Sequence, residues 1–165
     1  MPTGIDVVCF DLIESSVPYR IFVIYCPPAS CIGRLSNVSP IISMKQLTAC
    51  LESNINTVGP TVVMGDFNCP DIDWKSLCSS DQCQCLLLNF AVFNGFRQCV
   101  TQSTRANNIL DLVFSNDPLI VSDIHNSSPF STSDHDSVNV DIVFSSRPCV
   151  GTNECNAPTK KYLWN

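Results

Sequence analysis

The sequence predicts one layered α/β domain. Strand-like apolar runs and helical repeats alternate along the chain, and the run Thr61–Met64 is almost continuously apolar, as in strands buried on both faces. With 165 residues, 45% of them apolar, the chain can bury a hydrophobic core and is not of the disordered class. Periodicity is lost after residue 145, which predicts a domain over residues 1–145 and a linker over residues 146–165.

The first elements are predicted to be a strand hairpin and a helix. The apolar runs Val7–Ile13 and Ile21–Tyr25 flank a turn, Ser15–Tyr19, and Pro27-Pro28 ends the second strand. Ser39 is a typical N-cap, and Pro40 suits the first helical position. The helix is then marked by apolar residues at helical spacing: Ile41, Met44, Leu47, Leu51 and Ile55.

After the central strand, a second helix and four more strands are expected. Ser79 with Gln82 resembles a capping box, and Gly95 is a typical helix end. The strand candidates are Arg97–Thr101, Ile109–Phe114, Leu119–His125 and the alternating run Val138–Phe144.

Charge, hydropathy and cysteine spacing exclude several classes of function. The net charge of −6 disfavours tight binding to nucleic acid by phosphate neutralisation alone, but it does not exclude a small cleft that uses a cation to meet phosphate. No apolar run approaches the ~20 residues of a membrane span, so no membrane partner is predicted. The start of the chain lacks a signal-peptide pattern, and the 11 cysteines form no CxxC pair. Together these features predict an intracellular protein with reduced, mostly buried thiols.

The central strand leads directly into a polar pair. In Gly65-Asp66-Phe67-Asn68, a persisting strand geometry would place Asp66 and Asn68 on one face and Phe67 in the core. A carboxylate and a carboxamide at a strand end suit a hard cation, or a water or phosphate oxygen held beside one. An Asx-rich turn after an ordinary strand explains the same residues.

Further polar residues stand at strand ends or in the loops beside them. Asp111 interrupts an apolar strand and needs a partner, which is a His, an Arg or a network of donors; paired with His135, it would orient the imidazole. Asp134 could bind Mg²⁺, and Tyr25 places a hydroxyl at another strand end. Activated water, a metal and charge-stabilising donors together make a phosphodiester hydrolysis site. The plain alternatives are a structural ion pair for Asp111, a polar turn around Asp134 and a half-buried strand aromatic at Tyr25.

In this order, these segments resemble the endonuclease/exonuclease/phosphatase superfamily, and most of all the endonuclease domain of LINE-type non-LTR retrotransposons. The resemblance covers roughly residues 5 to 145. The matching segments are Tyr25-Cys26-Pro27-Pro28, Gly65-Asp66-Phe67-Asn68, Thr104-Arg105, Asn107-Asn108-Ile109-Leu110-Asp111, Leu112-Val113-Phe114, Ser115-Asn116-Asp117-Pro118 and Ser133-Asp134-His135.

The resemblance implies roles for the matching residues. Asp66 would activate the attacking water, Asn68 would hold phosphate or the metal shell, and Asp134 would ligate the cation together with them. His135, held by Asp111, would contact the scissile phosphate. Tyr25 would donate to the phosphate, and the implied substrate contacts are Thr104, Arg105 and Ser133.

The resemblance also implies a fold, a cofactor and partners. The fold would be a β-sandwich flanked by helices, of the DNase I type, and the cofactor would be Mg²⁺ or Mn²⁺. The partners would be target DNA and the reverse transcriptase domain of the same polyprotein, in the nucleus. The product would be a nick whose 3′ hydroxyl primes reverse transcription.

One departure from the family is clear. Members of the family draw a metal-binding Asn and Glu from the first half of the domain, whereas only 24 residues precede Tyr25 here and Glu14 does not match. The chain is therefore expected to be an N-terminally truncated domain with an incomplete metal site, weak or absent activity, and uncovered apolar sheet faces. The alternatives are a phosphoinositide or sphingolipid phosphodiesterase of the same fold, an inactive transposon-derived fragment, and a non-catalytic binding module.

Overall fold

The computed structural model describes residues 4–14, 17–31 and 38–144, and the predicted linker 146–165 lies outside them. The predicted layered α/β fold is confirmed. The elements are β1 (Asp6–Glu14), β2 (Val17–Tyr25), α1 (Pro40–Ser53), β3 (Thr61–Asp66), α2 (Gln82–Phe93), β4 (Arg97–Gln98), β5 (Asp111–Ser115), β6 (Val121–Ser127) and β7 (Ser137–Ile142). Neither of these two helices combines the length and apolarity that a membrane crossing requires.

Five strands form one mixed sheet in the order β1-β2-β3-β5-β4. Strands β2 and β3 are parallel, and the other neighbouring pairs are antiparallel. Strands β6 and β7 form a separate antiparallel pair. The nearly continuous apolar sequence of β3 is explained by its central position, with β2 and β5 on either side.

The five-stranded sheet carries a different layer on each face. Side chains of β3 alternate, so Val63 packs in a core with Leu47 of α1 and Leu87 of α2. Val62 packs on the opposite face in a second core that includes Val140 of β7. The order of layers is therefore helices, sheet and two-stranded ribbon.

The ribbon covers only part of its face of the sheet. At the β1 edge of this face, Val8 is 59% exposed, while Phe10, Leu12 and Val23 are only partly buried; on the opposite face of β1, Ile13 is 74% exposed. The expectation of apolar sheet surface without full cover is met in the described residues.

Strand and helix starts differ from the sequence-based boundaries for local reasons. Helix α2 begins at Gln82, and its N-cap is Asp81, whose side chain accepts a hydrogen bond from Gln84 N at 2.8 Å; the predicted start at Ser79 is wrong. Pro18 lies inside β2 rather than in a turn, which is tolerated because pairing with β3 begins only at Arg20.

The cysteines of the described residues have free thiols, and they are less buried than expected. Cys26 and Cys69 are buried, Cys9 and Cys78 are exposed, and the other five are intermediate. The apolar run around Cys9 predicted a buried thiol, but Cys9 is exposed because β1 is an edge strand with one poorly covered face.

Candidate active site

Three polar side chains lie in register where β2 and β3 end and β5 begins. Tyr25 of β2 is in register with Asp66 of β3, and Asp66 is in register with Asp111 of β5. Residues in register on neighbouring strands share a face of the sheet, so all three side chains stand on the ribbon face. The sequence predicted that these polar residues converge at one sheet edge, and the register confirms it.

Gly65 lets β3 run close to β2 just before this edge. Its φ is +142°, and a Cβ built on it would lie 1.9 Å from the carbonyl oxygen of Ile24. Only glycine fits such an approach, because any side chain would collide with backbone of the neighbouring strand. Gly65 thus fixes how the backbone delivers Asp66 to the site.

Asn68 folds back onto Asp66 instead of continuing the strand. Its φ is +47°, its backbone N–H donates to Asp66 Oδ1 at 3.0 Å, and its Nδ2 donates to Asp66 Oδ2 at 2.8 Å. Nδ2 also donates to the carbonyl oxygen of Cys26 at 2.9 Å. The Asx-type turn and the predicted polar pair are therefore both present, and Phe67 is buried as expected. The sequence carried no signal for the Cys26 contact, because that acceptor is a backbone atom.

His135 is held against the start of β5 by Asp111. Nδ1 of the imidazole lies 2.8 Å from Asp111 Oδ2, so the carboxylate fixes the ring orientation. The backbone N–H of His135 donates to the hydroxyl of Ser133 at 3.1 Å. The pairing of His135 with Asp111 was predicted from the sequence, and it brings a loop residue onto the sheet.

Asp66, Asp111 and His135 form one compact cluster. One ligand atom from each can be chosen so that all lie within 4.8 Å of one another. Burial raises the pKa of the Asp66 carboxyl and the negative charge of Asp111 raises it further, while hydrogen bonds from Asn68 and the nearby His135 act in the opposite direction. The cluster thus confines two acidic groups at some electrostatic cost.

A hard divalent cation fits this donor set in part. Two carboxylates supply the oxygen ligands that Mg²⁺ prefers, and a bound cation would relieve the repulsion between Asp66 and Asp111. Mg²⁺ demands near-octahedral coordination, so the remaining positions would need water, phosphate oxygens or residues outside the described part.

Asp134 stands outside the cluster. Its side chain is 67% exposed, its Oδ2 lies 2.5 Å from the Arg105 guanidinium, and its Oδ1 is 4.0 Å from His135 Nε2. The residue expected to ligate the cation therefore engages Arg105 at the rim, next to His135. Its role as a metal ligand remains a prediction, as does the substrate contact of Arg105.

Thr104 lies beneath the site rather than on its surface. It is fully buried, and its hydroxyl accepts hydrogen bonds from the backbone N–H groups of Leu110 at 3.0 Å and Asp111 at 3.1 Å. Its carbonyl oxygen accepts from Asp136 N at 2.8 Å. These bonds explain why β5 begins at Asp111 and not at Ile109, and the burial does not fit the expected substrate contact.

Thr104→Val is expected to lower the free energy of unfolding by about 2–3 kcal/mol, because two backbone N–H groups would lose their acceptor. Chemical denaturation measures this change. Thr101→Val, at an exposed threonine, is the matched control and is expected to have little effect. Equal stability of the two variants would contradict the positioning role of Thr104.

Tyr25 and Ser133 are at the open side of the site. The Tyr25 side chain is 47% exposed, and Ser133 is exposed with its hydroxyl accepting from His135 N. Both can reach a ligand that approaches the cluster from solvent, and their contacts with substrate remain predictions.

The segment that carries the cluster was compared with models of known protein families. Residues 19–139, which include every member of the cluster, match the model described as endonuclease-reverse transcriptase. The chain belongs to this endonuclease-reverse transcriptase family. No curated protein matches the chain.

One of the solved structures that the chain matches shares its fold. An endonuclease/exonuclease/phosphatase family protein from Leptotrichia buccalis is 18% identical, with a TM-score of 0.55 over 84% of this chain and 53% of that one. A mannosyl-6-phosphatase from Bacteroides thetaiotaomicron is 14% identical, with a TM-score of 0.44 over 78% of this chain and 52% of that one. The chain spans about half the length of the solved structures that it matches.

Proposed function

We propose that this endonuclease-reverse transcriptase family chain carries the catalytic acid-base part of a metal-dependent phosphodiester hydrolase that nicks DNA for a retrotransposon. The observation that supports it most is the Asp66–Asp111–His135 cluster, with ligand atoms within 4.8 Å of one another where β2 and β3 end and β5 begins. Nucleases and phosphatases of this type need a cation, an activated water and donors for phosphate charge, and the cluster offers groups for each.

Asp66 is the group that positions and deprotonates the attacking water. Both of its oxygens accept hydrogen bonds from Asn68, which fixes the carboxylate and leaves lone pairs for a water. The raised pKa of Asp66 makes it a better proton acceptor than an ordinary aspartate once it is ionised. Asn68, tied to the Cys26 carbonyl, holds Asp66 in this geometry.

His135 is the group that meets the phosphate. Asp111 accepts the Nδ1 proton, which leaves Nε2 directed toward the exposed rim where Asp134 lies 4.0 Å away. A protonated imidazole held in this way donates to a phosphate oxygen and stabilises the charge that develops during hydrolysis. Tyr25, Ser133 and Arg105 are placed to add further donors from the rim.

A divalent cation, Mg²⁺ or Mn²⁺, would be held by the carboxylates of Asp66 and Asp111, with Asn68 and Asp134 as further oxygen donors. It would neutralise charge on the phosphate and lower the pKa of a bound water. The further partners that we propose are target DNA and a reverse transcriptase domain on the same polyprotein, acting in the nucleus.

Conversion of supercoiled plasmid to the nicked form with Mg²⁺ tests the proposal. This chain and a chain extended upstream are compared, each with its His135→Ala variant. Nicking that His135→Ala abolishes in either chain supports the proposal, and nicking in the extended chain alone shows that further ligands come from upstream. Absence of nicking in both chains would refute it.

A further inference from the structure

An exposed aromatic side chain stands beside the candidate site. Phe130 is 72% exposed in the loop between β6 and β7. His135 lies five residues further along the chain. Single exposed apolar residues are common on protein surfaces and carry little meaning alone. Three further features of this loop distinguish Phe130 from the other exposed apolar residues of the described chain.

The first feature is a fixed backbone. Ser131 has φ +55°, and the N–H of Ser133 donates to the carbonyl oxygen of Phe130 at 3.0 Å. The hydroxyl of Ser133 in turn accepts from the N–H of His135 at 3.1 Å. Two hydrogen bonds in succession therefore connect the backbone of Phe130 to that of the site histidine.

The second feature is the bracing of this loop by its neighbour. Asn126 Nδ2 donates to the carbonyl oxygen of Ser103 at 2.8 Å, and Arg105 pairs with Asp134. The loop segments 102–108 and 128–134 thus form one surface next to His135, here called the rim platform. Phe130 is presented on it from a supported turn.

The third feature is charge. The chain carries a net charge of −6, yet residues 126–133, which include Phe130, contain no charged side chain; Arg105 offsets Asp134 within the rim platform, and Asp136 lies just beyond it. A polyanion meets less repulsion here than a chain of this net charge would impose on average. An acidic protein must also gain affinity from contacts other than phosphate neutralisation, such as stacking on bases.

We infer that Phe130 binds DNA by stacking against a base next to the phosphodiester held at the cluster. Apolar side chains wedged at base steps and aromatic rings stacked on bases are common ways to hold nucleic acid without charge. The inference rests on the proposed function, because it takes the substrate of the site to be DNA. It assigns the rim platform to base contact and the cluster to the phosphate.

Fluorescence anisotropy with a labelled short DNA duplex tests this contact in Ca²⁺ buffer, where binding is read without relying on turnover. Phe130→Ala is expected to weaken binding about tenfold, since stacking of one base is lost. The dependence of affinity on salt is expected to stay the same, because no phosphate contact is removed. Phe130→Trp is expected to bind at least as tightly as the wild type.

Phe93→Ala is the matched control, because Phe93 is 82% exposed on helix α2, which contributes no residue to the cluster. It is expected to bind DNA as the wild type does. Equal affinities of the Phe130→Ala and Phe93→Ala variants, or a changed salt dependence for Phe130→Ala, would overturn the inference. DNA binding that depends on Phe130, together with an absence of nicking in both this chain and the chain extended upstream, would uphold the inference and refute the proposed function.

Discussion

Asp66→Asn is expected to lower the rate of DNA nicking by about 10²–10⁴-fold, because the group that deprotonates the water is replaced by one that cannot accept a proton. The effect is measured in whichever chain nicks plasmid, this one or the chain extended upstream. Asp123→Asn is the matched control, since Asp123 is 63% exposed and lies outside the cluster. A nicking rate for Asp66→Asn close to that of the control would remove Asp66 from the mechanism.

The same variant is expected to fold about as stably as the wild type. The folded-state pKa of Asp66 is raised, so the ionised carboxylate lowers the stability of the cation-free protein at pH values above that pKa. Asparagine removes this charge but keeps one acceptor for Asn68, so the free energy of unfolding should change by no more than about 1 kcal/mol. Loss of activity through unfolding would show instead as a large drop in the denaturation midpoint.

Unlike Asp66→Asn, Gly65→Ala is expected to cause a large loss of stability. Its Cβ would lie 1.9 Å from the carbonyl oxygen of Ile24, and the residue would keep a φ of +142°. The clash involves backbone at the centre of the sheet, which cannot move aside as a flexible side chain can. We expect the free energy of unfolding to fall by about 4 kcal/mol or more.

Gly95→Ala is the control that measures how much stability is lost through a positive φ alone, without a steric clash. Gly95 also has a positive φ, +68°, but nothing lies within 4 Å of a Cβ built on it. Its replacement should cost only about 1–2 kcal/mol, the usual penalty of a left-handed alanine. Equal losses for the two variants in urea denaturation would contradict the close approach of β3 to β2 at Gly65.

Much of the framework follows from local sequence. The apolar run before Gly65 predicts a central strand, and its change to Asp66 and Asn68 predicts a polar strand end, because burial on both faces permits no polar side chain along the run. Asp111 could be predicted to need a partner because an unpaired buried carboxylate is costly. That cost alone leaves a His, an Arg or a network of donors open as the partner; the structure places His135 there, at 2.8 Å.

The remaining features depend on contacts that span the chain. Thr104 was assigned to substrate, but its hydroxyl accepts from backbone six and seven residues away, and no pattern of side chains reveals such an acceptor. Asp134 was expected among the metal ligands, yet Arg105 engages its carboxylate at the rim. The positions of Thr104 and Asp134 both depend on how the loop 102–108 packs against the loop before β7. Tertiary packing determines that contact, and local secondary-structure propensity does not reveal it.

The central claim is that the carboxylates at the strand ends bind a divalent cation. Titration of this chain with Mn²⁺, followed by electron paramagnetic resonance of the free ion, tests it most directly. We expect one Mn²⁺ to bind per chain, and Asp66→Asn to weaken binding by about tenfold or more, with Asp123→Asn unchanged. Absence of Mn²⁺ binding, or binding that Asp66→Asn leaves unaltered, would contradict the claim.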